Sequence, residues 1–168
     1  VDARTSEVLR AKAELFTNQI LLKSIIDSST AIIYAKDLDG YYILVNKQFQ
    51  ELFGDTNADL RGLTDQEVFP PEVAEQMLEV DRRVINSGGT VETEDVMFHH
   101  GERRTYISVR YPLRDVNGRI YAVCCIATDI SERVREETTL RRLNEMLVKR
   151  LTERLRDGSA GNSPTIAD

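Results

Sequence analysis

The sequence predicts an α+β domain: a five-stranded antiparallel sheet with helices inserted after its second strand, set between two long helices. Three observations carry this. Ile120–Ala127 is an unbroken apolar run rich in β-branched residues, which reads as a strand buried on both faces. The stretches Asp37-Leu38-Asp39-Gly40, His99-His100-Gly101-Glu102 and Asp115-Val116-Asn117-Gly118 have the composition of tight turns between strands. At both ends of the chain, apolar residues recur at helical spacing.

Residues 1–27 read as a helix. Val8, Leu15 and Leu22 recur every seven residues, with Ala11, Asn18 and Ile25 as companion positions, a repeat that lets two helices pair along one seam. Asn18 on that seam would cost stability and fix the register of the pair. A helix folded back on its own domain fits the same spacing. Ser28-Ser29-Thr30 interrupts it. Ala31–Lys36 and Tyr41–Val45 then form a hairpin, and Asn46 is placed to cap a helix over Lys47–Phe53 that buries Phe49, Leu52 and Phe53 and stops at Gly54. Residues 55–69 read as short helical turns. Pro70-Pro71 opens a helix over Glu72–Asn86, with Met77, Val80, Val84 and Ile85 on its apolar side, and Ser87-Gly88-Gly89 ends it.

A meander follows over Thr90–Phe98, Arg103–Leu113 and Arg119–Thr128. In its middle strand Thr105, Ile107, Val109, Tyr111 and Leu113 alternate with Tyr106, Ser108 and Arg110, which predicts the first set toward the core and Arg110 away from it. At Thr128-Asp129-Ile130-Ser131 the period changes. Asp129 or Ser131 can cap the first free N–H groups of a helix running to about Arg156, and Glu132 suits its first turn. Val134, Leu140, Leu143, Leu147, Leu151 and Leu155 mark its apolar side, drifting off a strict heptad. Residues 157–168, rich in glycine and serine, read as a disordered tail.

Three stretches, in order, resemble PAS sensor domains: IIYAKDLDGYYILVNKQFQELFG (Ile32–Gly54), YISVRYPLRDVNGRIYAV (Tyr106–Val123), and a last strand passing into a helix through Asp-Ile-Ser-Glu-Arg. The resemblance covers roughly Ile25–Arg133 and implies a PAS domain over residues 28–130, with signalling helices at 1–27 and 131–156. It implies a homodimer, and a cavity between the sheet and the inserted helices. Candidate lining residues are Ile33, Ile43, Val45, Phe49, Phe53, Leu63 and Phe69 in the first half. Met77, Val96, Phe98, Ile107, Val109, Tyr111, Val123 and Cys125 follow in the second. Filling of the core by these same side chains is the alternative. Asp129 and Ile130 then form the junction through which a change in the sheet reaches the output helix. The run TLRRLNEMLVKRLTERL (Thr139–Leu155) resembles the connecting helix of bacterial sensor histidine kinases. A cyclic-dinucleotide cyclase or a phosphatase would serve equally as the output domain in the same polypeptide.

Composition narrows the function. The chain has 168 residues and a net charge of −6, which speaks against nucleic acid as a partner. No apolar run approaches the ~20 residues of a bilayer span, and nothing resembles a signal peptide. This predicts a cytoplasmic piece without membrane contact. Val1 in place of a methionine reads as a segment of a longer protein, whose anchor, if any, lies elsewhere. Asp55, Asp59, Asp65, Glu67, Glu72, Glu75, Glu79 and Asp81 crowd the middle and read as a solvated face rather than a docking patch. Cys124 and Cys125, adjacent in a strand, point to opposite faces and read as buried, reduced thiols.

No phosphate-cradling glycine loop, HExxH, CxxC or nucleophile elbow is present, so the segment reads as non-enzymatic. The resemblance also disfavours two cofactors. Gly62–Phe69 lacks the cysteine that flavin-adduct members use, and Glu72–Asn86 lacks the histidine that haem-binding members supply. His99 and His100 read as solvated turn residues rather than metal ligands. A small organic ligand, or none, remains.

Overall fold

The computed structural model describes residues 2–54 and 58–160. Its first unit ends at Asp129 and its second begins at Ile130. In chain order the elements are α1 (Ala3–Asp27), β1 (Ile32–Asp37), β2 (Tyr42–Val45), α2 (Lys47–Phe53), α3 (Asp65–Val68), α4 (Pro71–Ser87), β3 (Val91–His99), β4 (Glu102–Arg114), β5 (Ile120–Asp129) and α5 (Ser131–Ala160). The strands form one antiparallel sheet in the order β2-β1-β5-β4-β3. The unbroken apolar run thus lies in the central strand, where Ala122–Cys125 and Ala127 are all buried.

Asn46 explains how the first strands and helices meet. Its Oδ1 accepts from the N–H groups of Phe49 (3.1 Å) and Ile33 (3.0 Å). Its Nδ2 donates to the carbonyls of Ala31 (2.9 Å) and Ile26 (3.0 Å). The expected helix cap is therefore also a clasp that ties the end of α1 to β1 and α2. The Asp27 carboxylate adds a bond from the Lys47 N–H at 2.9 Å. Only the end of α1 meets the domain: none of its residues is fully buried, Ile26 and Asp27 are half-buried, and Val8, Leu15 and Leu22 are 50%, 59% and 63% exposed. Folding back of the seam onto its own domain is not what the chain does.

Two helix stops use glycine differently. Gly88 takes φ +64° at the end of α4, the left-handed conformation expected of such a stop. Gly54 ends α2 with φ −89°, and its need is spatial, because a Cβ there would collide with the Gln50 carbonyl. The second unit is the helix α5, which continues past the expected end near Arg156 to Ala160. Extension of a formed helix costs little per residue, and one glycine costs about 1 kcal/mol. The tail expected from residue 157 is thus helical through Ala160, and 161–168 lie outside the described residues. Among the described residues, no helix is long and apolar enough to cross a membrane.

Candidate functional site

The side of the sheet that meets the helices is not the one its hydrophobic alternation suggests. Pairing places Arg110 opposite Cys125 and Cys125 opposite Tyr34, and Ser108 opposite Ala127 and Ala127 opposite Ile32. These residues form the inner face, and all are buried. Ile33, Ile107, Val109 and Tyr111 fall on the other face, where they are half-buried. Arg110, expected to point away from the core, is 4% exposed. A one-residue change of phase moves every side chain to the opposite face, and here both faces are apolar enough to mislead.

What draws Arg110 inward is a charge cluster. Lys36 on β1, 1% exposed, bonds Asp65 of α3 at 2.5 Å and also Asp81 of α4. The Tyr42 hydroxyl donates to Asp65 as well. Arg110 donates from Nη1 to Thr93 Oγ1 at 2.9 Å and lies 3.6 Å from Asp95 and 3.8 Å from Asp81. Asp65 and Asp81, expected on a solvated acidic face, are buried and paired. Burial pushes the Asp81 carboxyl up, while Lys36 and Arg110 pull it down. Buried charges survive only when paired, and Lys36 supplies the pairing. Nothing in the apolar pattern marks Lys36. Its position inside the strand sequence IIYAKD was the available signal.

Beside the cluster lies a cavity of about 290 Å³ between the sheet and the helices α2 and α4. Its aromatic end is Phe49, Phe53 and Phe69, with Phe53 and Phe69 edge-to-face at 4.8 Å. Met77 and Val73 of α4 continue this lining. Its polar end carries Tyr34, Ser108 and Arg110, with Cys125 and Ala127 on the floor. The Tyr34 hydroxyl and Arg110 Nε are fully buried there: the hydroxyl lies against the Cys125 thiol, and Nε faces Asp81 Oδ1 at 3.8 Å, too far for a hydrogen bond. Burial raises the Tyr34 hydroxyl and the Cys125 thiol well toward their protonated forms.

Of the expected lining residues, Phe49, Phe53, Phe69, Met77 and Cys125 face this space, with Val96 at its exposed rim. Val45 and Leu63 pack against the core cluster outside it. Val123 is buried two residues along β5 from Cys125, beyond the cavity. Ile33, Ile107, Val109 and Tyr111 are on the other face of the sheet, and Phe98 is there too, 70% exposed. Ile43 lines a separate groove against α1. Phe49, Phe53 and Met77 reach the cavity from the apolar stripes of their helices, whereas Ile107, Val109 and Tyr111 share the phase error of β4.

From the aromatic end a chain of contacts leads to the last strand. Phe53 stacks on His99 at 5.2 Å, and His99 Nε2 lies 3.1 Å from the Tyr106 hydroxyl. Tyr106 pairs with Asp129 across β4 and β5, and Arg104 reaches the Asp129 carboxylate at 3.3 Å. His99 was expected to be solvated. It is the final residue of β3, turned inward and buried, while His100 forms the exposed turn at φ +50°. Desolvation, then the charge of Arg104, hold the His99 imidazole below its ordinary value. Asp129 closes β5 and Ile130 begins the second unit. Among the described residues, no group of three or more His, Cys, Asp or Glu is arranged to hold a metal ion.

Known proteins share the fold that frames this cavity. FilI, a methanogenesis regulatory histidine kinase of Methanothrix harundinacea, is 29% identical over 110 residues, which are 66% of this chain and 12% of FilI. The aerobic respiration control sensor ArcB of Escherichia coli is 25% identical over 122 residues, 72% of this chain and 16% of ArcB. The chain therefore spans a small part of these relatives. Among solved structures, the VqmA–ligand–DNA complex of Vibrio cholerae superposes with a TM-score of 0.60 at 27% identity, covering 66% of this chain and 51% of that one. The PAS domain of Bordetella pertussis BvgS gives 0.60 at 25% identity, covering 77% and 98%. Residues 26–135 match the family model described as the PAS fold. With that match over most of its length and the sheet and helices in the order described, the chain belongs to the PAS family.

Proposed function

We propose that this PAS sensor domain responds to a small organic molecule held in the cavity under α2 and α4. On this reading the occupied cavity moves Phe53. The movement passes through His99 and Tyr106 to Asp129, and so to the start of the helix that follows β5. The module acts as a homodimer paired through α1, in the cytoplasm, and regulates an output domain of the same polypeptide. It performs no catalysis of its own. A histidine kinase is the favoured output, because FilI, which matches this chain over 110 residues, is a regulatory histidine kinase, and ArcB, which matches it over 122, is a sensor protein.

The single observation that carries the reading is a cavity whose apolar walls meet the buried Tyr34 hydroxyl and Arg110 guanidinium at one end. A pocket that combines apolar walls with a few convergent polar groups is the form ligand sites take. VqmA, similar in structure, is a ligand-bound protein. Native mass spectrometry of the purified chain tests the proposal. A dimer carrying an added small mass is the expected result. A bare dimer would leave a relay without a ligand, and a bare monomer would remove the pairing.

A further inference from the structure

The cavity described above is asymmetric, and its asymmetry specifies a ligand class; this inference rests on the reading that the cavity binds a small molecule. About 150 Å³ of apolar cavity holds a benzene ring, so 290 Å³ accommodates on the order of a dozen non-hydrogen atoms. Phe49, Phe53 and Phe69 crowd one end, where a flat apolar body gains most from ring contacts. At the other end, Arg110 Nε is a donor that cannot accept and has only the long ion pair to Asp81 at 3.8 Å, and the Tyr34 hydroxyl, set against the Cys125 thiol, can accept from that thiol while donating to a guest. Both residues are more than nine-tenths buried. The site therefore asks for an acceptor oxygen.

The charge of that oxygen is set by its surroundings. Lys36 and Arg110 contribute two positive charges to the cluster, and Asp65, Asp81 and Asp95 contribute three negative ones. Arg110 is already flanked by Asp81 and Asp95, so an added carboxylate would meet an excess of negative charge while losing its own hydration. A cation would face the guanidinium. We infer that the cavity selects a neutral, flat, mainly apolar molecule with one hydrogen-bond-accepting oxygen, of the aromatic amide type, its oxygen on Arg110 and Tyr34 and its ring among Phe49, Phe53 and Phe69.

Three probes of matched shape test this on the full chain: benzamide, benzoate and toluene, titrated by NMR chemical-shift perturbation at pH 7. Benzamide binds about tenfold more tightly than either of the others, the worth of one to two buried hydrogen bonds. Tyr34→Phe removes a hydroxyl whose one neighbour is the weakly bonding Cys125 thiol and so leaves the fold intact by circular dichroism. It weakens benzamide about fivefold and leaves toluene unchanged. Benzoate binding as tightly as benzamide overturns the neutral class. Benzamide no tighter than toluene, or unaffected by Tyr34→Phe, overturns the polar end while the cavity stands. If none of the three perturbs residues lining the cavity, the ligand-sensing reading fails with it.

Discussion

Lys36 shows how much a single side chain holds together here. It sits 1% exposed on β1 and joins Asp65 of α3 to Asp81 of α4. Lys36→Met keeps the apolar stem but strands two carboxylates in the interior, and removal of one member of a buried pair costs about 3–5 kcal/mol. Urea unfolding at pH 7 should show that loss; a change below ~1 kcal/mol would mean the cluster behaves like a surface pair. His99 offers a second test. Its folded pKa lies below the ordinary 6.5, so below that pH the unfolded chain binds the proton first and stability falls as pH drops. Melting of the native chain should therefore lose more between pH 7.5 and 5.5 than melting of His99→Gln, and equal losses would discard the buried neutral imidazole. Neither residue was legible as a site residue. Hydrophobic pattern reports where apolar side chains recur, whereas Lys36, Asp81 and Arg110 are inside because they pair with one another across elements distant in sequence.

At the scale of elements the sequence was far more informative. The helix over Lys47–Phe53 falls where capping by Asn46 and the stop at Gly54 predict, and the turns at Asp37–Gly40 and Asp115–Gly118 separate the expected strands. Caps and turns are local chemistry, so they can be read locally. The phase of β4 could not be, because its inner and outer faces are distinguished only by what lies above them. The helix α1 poses the clearest question at this scale. It leaves Val8, Leu15 and Leu22 half or more exposed along one seam, and an isolated helix with such a stripe gains by covering it. Leu15→Glu with Leu22→Glu should convert a dimer into a folded monomer in analytical ultracentrifugation. A wild-type chain already monomeric at tens of micromolar (on the order of a weak association) would contradict pairing through this helix.

For the molecule as a whole, the order of the strands matters more than their number. Tight turns predict the neighbours within the hairpin and within the meander, but not the pairing of β1 with β5 that joins the two. β1, the first strand, and β5, the last, are adjacent at the centre of the sheet, with Ile32 facing Ala127. The chain consequently goes into the sheet and comes out of it at places one strand spacing apart, about 4.8 Å. Everything from Ile32 to Asp129 is a bight in the polypeptide whose two ends nearly touch. A gene can gain, lose or duplicate such a segment by a single cut and join, with no spacer needed to bridge a gap, so this architecture lends itself to being strung in series.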